Sequence, residues 1–383
     1  MTNLSFGVKF LLGFLLVLLI ANIFIFTSGS TYIYKALIYQ QVGIDDINLF
    51  NIREVKAGII KQEWSKSNDY NKNSLSDSLR KTLERNESVA FLVIKNDSIQ
   101  HEEYWDNYKD TTLSNPFSVT KSVVSLLIGI AIEEGKIKSI DQLVGDFIPE
   151  FKEDKKAGIT IKNILQMASG LDFMESYSTP FNYTTEAYYG NDLVSMIKKL
   201  NVIEPPGTIS RYKSGDTQIL GLILIAATGK TLSEYASEKI WSKLGVQKSA
   251  QWSLDHEHGI EKAYCCFYTN ARDLAKIGKL ILQDGNFNGD QLVDSAYLAA
   301  SFTPTLLPDE EGKVTDYYGY QWWLINRNGV QIKYARGLGG QYLFIIPSEN
   351  MIVVRLGNKR SETLTEEVPN DILTYLDEVI KEF

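Results

Sequence analysis

A serine followed three residues later by a lysine is the smallest arrangement in this chain able to carry out covalent catalysis. On a helix, residues three apart share a face, so the lysine amine can lie beside the serine hydroxyl and take its proton. A lysine in a buried setting sheds its charge readily enough to act as that base. The pattern begins at Ser78, Ser118, Ser195 and Ser210. Of these, only Ser118-Val119-Thr120-Lys121 stands at the mouth of an almost wholly apolar stretch, residues 122–134, directly after Asn115-Pro116-Phe117. Proline favours a helix start, and the free amides at that end polarise an oxygen placed there. A serine that only capped this helix would leave Lys121 on an apolar element with no purpose. Ser118 is therefore the expected nucleophile and Lys121 its base.

Acyl transfer also needs a proton for the leaving group. Tyr212, in Tyr212-Lys213-Ser214-Gly215-Asp216, stands in a glycine-containing turn just before the apolar stretch 217–227 and fits that relay. A tyrosine followed two positions later by a small polar residue recurs at Tyr189, Tyr235 and Tyr268. Tyr235 falls inside an expected helix and Tyr268 at a helix start, which leaves Tyr189 as the rival. Other chemistries find less support. The three histidines are His101, His256 and His258, and no Gly-x-Ser-x-Gly elbow occurs, so a Ser-His-Asp hydrolase is excluded. His256-Glu257-His258 offers two ligands on a loop without a third, which reads as solvated surface, so no metal is expected. Gly229-Lys230-Thr231 resembles a phosphate loop, but Leu224 stands where its first glycine belongs; it reads as a helix start.

The elements that must position these groups are legible from periodicity. Residues 89–94 and 99–104 are short apolar runs split by Lys95, Asn96 and Asp97, a hairpin composition. Residues 122–134 form a helix buried on most sides. Further helix starts are expected at Ser139-x-x-Gln142, Thr231-x-x-Glu234 and Asn270, with Gly170 and Gly245 as stops. Strands return at 320–325, 330–334, 342–346 and 351–356, and a closing helix begins near Asn370. The simplest architecture is an α/β (α+β) fold in which the hairpin and the late strands share one antiparallel sheet flanked by helices. The intervening helical stretch forms a second, mostly helical lobe.

With 383 residues, 44% hydrophobic and 22% charged, the chain is globular rather than disordered. A net charge of -8 without a basic block leaves no footprint for nucleic acid. Residues 10–26 are apolar except for Asn22, follow Lys9 and precede Thr27-Ser28-Gly29-Ser30. The stretch is at the lower limit for spanning a bilayer and longer than an ordinary signal-peptide core. We expect an uncleaved anchor, with Lys9 inside and the catalytic domain outside the cytoplasm, periplasmic or extracellular. The expected organisation is residues 1–30 as anchor or signal segment, 31–86 as a spacer with a short helix, and 87–383 as the catalytic domain. Cys265 and Cys266 are adjacent, closer than the usual span of a disulfide, so no bond between them is expected.

The segments FSVTKS at residues 117–122, ITIKNILQMASGL at 159–171, RYKSGDTQILG at 211–221 and YARGLGGQ at 334–341 together resemble class C β-lactamase-related serine hydrolases. This superfamily is shared with penicillin-binding proteins, and within it the chain looks most similar to aminohexanoate-dimer hydrolases and related esterases. The resemblance runs over residues 88–356 and implies a β-lactamase/transpeptidase-like fold. It further implies a cofactor-free hydrolase cleaving a small amide or ester through an acyl-enzyme on Ser118, with Lys121 and Tyr212 moving protons. Ser214 takes the place of the family's usual asparagine. Alternatives within the resemblance are a D-alanyl peptidase, a β-lactamase, or a silent binder of peptidoglycan fragments. The family's third motif corresponds to Ala335-Arg336-Gly337, which lacks a cation at its first position. The oxyanion hole is expected to combine the Ser118 amide with one near Leu338, with Gly337, Gly339 and Gly340 permitting close backbone approach. If Ala335 faces the cleft, alternation turns Arg336 away, so penicillins and cephalosporins are expected to be poorer substrates than short esters and linear amides. The aromatic residues Tyr317, Tyr318, Tyr320, Trp322 and Trp323 either wall the cleft or pack the core.

Overall fold

The central strands are nearly continuous apolar runs that need cover on both faces, and this builds a three-layer body in the computed structural model, which describes residues 5–365 and 368–383. The central sheet contains β1 (Ser65–Lys66), β2 (Ser88–Lys95), β3 (Ser98–Tyr104), β4 (Trp323–Arg327), β5 (Val330–Gly337), β6 (Gln341–Ile346) and β7 (Met351–Gly357). Their order across the sheet is β1-β3-β2-β7-β6-β5-β4, antiparallel except for the β1–β3 pair. Leu92 and Ile94 point to one face and Phe91 and Val93 to the other, so both faces of β2 are buried. The hairpin turns at Asn96 and Asp97, both with positive φ, the backbone that a two-residue turn of this twist requires.

Helices cover both faces. On one side lie α3 (Asp77–Arg85) and the closing helix α8 (Asn370–Glu382), which pack against each other. On the other lie α4 (Val119–Glu133) and α7 (Ala271–Leu282). Helix α4 is buried continuously from Val119 to Ala131, as its all-round apolar composition requires. It packs against α6 (Ser214–Thr228), the main helix of the inserted lobe, whose first half is equally buried. That lobe also carries the shorter helix α5 (Tyr183–Tyr189).

Several local expectations hold. Thr231 and Glu234 form a reciprocal capping box, and the Asn270 side chain caps α7. Others do not. Ser139 and Gln142 sit in a turn rather than at a helix start. Gly170 bends a loop against the Glu204 carbonyl, which a Cβ would meet at 2.1 Å. The segment expected as a spacer, 31–86, is built into the body: Ile52–Val55 pairs with Ala250–Ser253, and Ile44 and Val55 join the main core. Its patchy polarity hid this because each piece contributes only one or two buried side chains.

Ahead of the body, α1 (Phe6–Thr27) is 22 residues long with every residue outside the core. At about 1.5 Å per residue it matches the roughly 30 Å hydrocarbon thickness of a bilayer. It is long and apolar enough to span a membrane or to serve as a signal sequence. It is followed by α2 (Tyr32–Tyr39), which packs on α5.

Candidate active site

Ser118 sits on a sharp turn fixed by its neighbours. Phe117 has a positive φ of 46°, rare for a bulky residue, and its amide donates to Asn115 Oδ1 at 2.9 Å. The same oxygen accepts from the Cys266 amide at 3.1 Å, so one asparagine ties the Ser118 turn to the segment 264–266. Ser118 occupies the N-cap position of α4, yet its side chain makes no capping bond. Its hydroxyl instead meets the Lys121 amine at 2.7 Å.

Lys121 is 1% exposed, and Nζ also donates to Ser214 Oγ at 3.1 Å and to the Tyr264 carbonyl at 3.1 Å. The rings of Tyr212 and Tyr264 flank it, with centroids 5.0 Å and 5.7 Å from Nζ. Tyr212 packs against Tyr318 and Trp323. Burial pushes the Tyr264 phenol well above its ordinary range. Ser214 begins α6, and its hydroxyl and amide both donate to Glu175, at 2.9 Å and 2.8 Å. Glu175 also accepts from the Tyr177 hydroxyl at 2.6 Å. The result is a continuous chain Ser118–Lys121–Ser214–Glu175–Tyr177. Sequence reasoning reached the first three; Glu175 and Tyr264 lie in loops without a spacing signature.

On the opposite wall, strand β5 ends against the Ser118 turn. A Cβ on Gly337 would lie 2.2 Å from the Pro116 carbonyl, so only glycine permits this approach. The following turn, with Gly339 and Gly340 at positive φ, is held by buried Arg355, which donates to the carbonyls of both. Leu338, between them and Gly337, lines the cavity beside Ser118.

Two expectations are overturned here. Ala335 does not face the cleft; it is buried on the α4 side of the sheet. Arg336 therefore lies on the Tyr212 side, where its guanidinium sits 3.4 Å from the Trp323 ring centroid and lines a second cavity with Tyr212 and Tyr318. The sequence left this choice open, because alternation alone does not say which residue of a pair faces in. The aromatic cluster divides accordingly: Tyr317, Tyr318 and Trp323 line that cavity, whereas Tyr320 and Trp322 belong to the core. The second correction concerns Cys265 and Cys266, which are joined as a vicinal disulfide. Adjacent Cα atoms 3.8 Å apart do not forbid the bond, because Cys266 turns into the left-handed region with φ 68° and brings both sulfurs to one side. Cys265 lines the cavity next to Ser118.

The rival residues lie elsewhere. Tyr189 stacks on Tyr39 at the far wall of the cavity, with burial pushing its phenol up to about 12. The side chains of His256 and His258 lie at an exposed turn.

A lysine held against a serine at the start of a buried helix, beneath a mixed sheet with helices on both faces, defines a serine hydrolase of the β-lactamase and penicillin-binding protein superfamily. The chain belongs to the Beta-lactamase family, whose sequence profile matches residues 76–374. It is 25% identical over 300 residues to the 6-aminohexanoate-dimer hydrolase of Paenarthrobacter ureafaciens, covering 73% of this chain and 75% of that one. It is 24% identical over 203 residues to a β-lactamase of Pseudomonas fluorescens, covering 49% and 54%. In fold it resembles a candidate 6-aminohexanoate-dimer hydrolase from Bacillus anthracis, with a TM-score of 0.77 and 23% identity over 88% of this chain and 92% of the other. It also resembles a family VIII carboxylesterase, with a TM-score of 0.63 and 16% identity over 84% and 99%.

Proposed function

We propose that this hydrolase cleaves an amide or ester bond through an acyl-enzyme on Ser118, with Lys121 as base and Tyr212 passing a proton to the leaving group. The observation that carries the reading is the geometry around Lys121, whose amine meets Ser118 Oγ at 2.7 Å, Ser214 Oγ at 3.1 Å and the Tyr264 carbonyl at 3.1 Å. The Tyr264 carbonyl can only accept, and the Ser214 hydroxyl has its proton engaged by Glu175, so it too must accept. For Lys121 to act as base, two of its N–H groups serve these oxygens and the lone pair faces Ser118. The Ser118 hydroxyl is then the one neighbour able to donate, and its proton moves to Nζ as Oγ attacks the carbonyl carbon. The oxyanion forms against the N-terminus of α4, where the Ser118 amide and an amide at Leu338 are placed to stabilise it. Collapse expels the alcohol or amine with a proton relayed through Tyr212, and water then releases the acyl group by the reverse transfer.

In this reading Ser214 supplies a hydroxyl where the family's asparagine supplies an amide, and Glu175 fixes which way that hydroxyl points. Helix α1 anchors the chain, Lys9 stays inside, and the catalytic body faces outward. With Arg336 beside Tyr212, the geometric reason for weak β-lactam turnover no longer holds, and substrate preference is decided by assay. Hydrolysis of p-nitrophenyl butyrate, a linear amino-acid dimer amide and nitrocefin on one preparation tests the reading. Turnover of the ester or amide that vanishes in Ser118→Ala supports it, and turnover unchanged in Ser118→Ala contradicts it.

A further inference from the structure

The cavity in front of Ser118 has a volume of 610 Å³, within the roughly 300–1,000 Å³ of cavities that enclose a small ligand. One part of its lining comes from the segment that joins the body to α1: Ala36 and Leu37 of α2, with Gln40, Gln41 and Val42 just beyond it. Helix α2 begins five residues after the end of α1, and the Tyr34 hydroxyl donates to Asn22 Oδ1 on α1 at 2.6 Å. The wall of the substrate cavity is thus fastened to the membrane helix, at its outer end.

The rims of this cavity are apolar and exposed. Of the lining residues Leu37 on α2 is 59% and Tyr177 61% exposed, and directly beside lining residues in the chain Ile38 is 72% and Phe181 66% exposed. Large apolar side chains clustered this way around an opening mark a surface for an apolar partner. The helix reads YIYKALIY, with aromatic residues at the level where a membrane-spanning helix meets the headgroups. Inside, the cavity is lined mostly by aliphatic, aromatic and hydroxyl side chains, with the Gln40 and Gln41 amides and the disulfide sulfur of Cys265, and Glu175 is its one charged residue among the described ones. Such a lining accepts a hydrocarbon chain and disfavours an anion beside the nucleophile.

We infer that the acyl part of the substrate is a long hydrocarbon chain drawn from the membrane, entering between α2 and the loop carrying Tyr177 and Phe181. This deepens the acyl-enzyme reading above and rests on it. Ser118 Oγ bonds to the chain's carbonyl carbon, the headgroup alcohol or amine leaves with the proton relayed from Lys121, and water then frees the fatty acid.

The test uses the full-length chain in phosphatidylcholine vesicles and p-nitrophenyl esters of four to twelve carbons. Each additional buried methylene should raise kcat/KM by roughly fourfold until the cavity is filled, on the order of 100-fold between the butyrate and octanoate esters. Leu37→Glu should flatten this dependence to a few-fold, with its melting temperature measured to establish that it is folded. A kcat/KM that falls beyond the butyrate ester, while Ser118 is still acylated, overturns the inference and leaves the acyl-enzyme reading standing. Equal rates for a long ester offered as monomer and from vesicles overturn the membrane route. Absence of any acylation at Ser118 removes the reading and the inference together.

Discussion

Two of the four Ser-x-x-Lys sequences end in a fully buried lysine, and the chain uses them for opposite purposes. Ser118 and Lys121 lie on one helical turn, so spacing three brings amine and hydroxyl to 2.7 Å. Ser210 and Lys213 precede a helix in extended backbone, with Lys213 at φ -142°, and the same spacing sends them apart. Ser210 donates to the Gln166 carbonyl at 3.0 Å, and the Lys213 amine lies 3.9 Å from Glu204. Lys213 also partly offsets the burial that pushes the Asp216 carboxyl up to about 6. Identical residue types at identical spacing give a hydrogen-bonded serine–lysine pair, the proposed nucleophile and base, in one place and buried charge balance in the other. Backbone periodicity, not the motif, carries the chemistry.

This contrast can be broken at either end. Lys121→Ala should lose about 10²- to 10⁴-fold in kcat, because it removes the base itself; a loss under fivefold on p-nitrophenyl butyrate would make the two lysines equivalent. Tyr212→Phe should fall within the same range, whereas Tyr189→Phe stays within a few-fold, and the opposite ranking would move the relay to the far wall. Glu175→Gln should lower kcat by roughly 10- to 100-fold, the worth of a charged hydrogen bond, since Ser214 would lose the partner that orients it. Lys213→Met should instead appear in denaturant unfolding, costing about 1–3 kcal/mol, because buried Asp216 loses its neighbouring cation while Glu204 keeps Arg211 at 3.3 Å.

The smallest effect concerns pH. Asp216 is held above its ordinary 3.8, at about 6, so the folded state binds its proton more tightly than the unfolded chain does. Stability from this group is full below pH 4 and declines as pH rises through 6. The difference in unfolding free energy between wild type and Asp216→Asn, followed from pH 4.5 to 7, should therefore move against the wild type. A flat difference would show that Asp216 is not perturbed.

The sheet was legible because β2 and β3 are separated by a turn of unmistakable composition and the late strands are short apolar runs between loops. Helix α4 was legible because residues 122–131 are apolar or small on every side, with no face suited to water. What escaped was whatever depended on contacts between distant segments. Glu175 earns no notice in a loop of mixed residues until Ser214 meets it. Arg336 could be placed on either face until the β5–β6 register set it beside Trp323. The cysteine pair was misread because a distance between Cα atoms was taken as a limit, when a left-handed backbone at Cys266 removes it.

The central claim is that one serine of the four becomes acylated. Intact mass of the full-length protein after a fluorophosphonate probe, with Ser118→Ala treated in parallel, measures this directly. The account predicts a single adduct that maps to Ser118 and is absent from the variant. An adduct of equal yield in Ser118→Ala would contradict it.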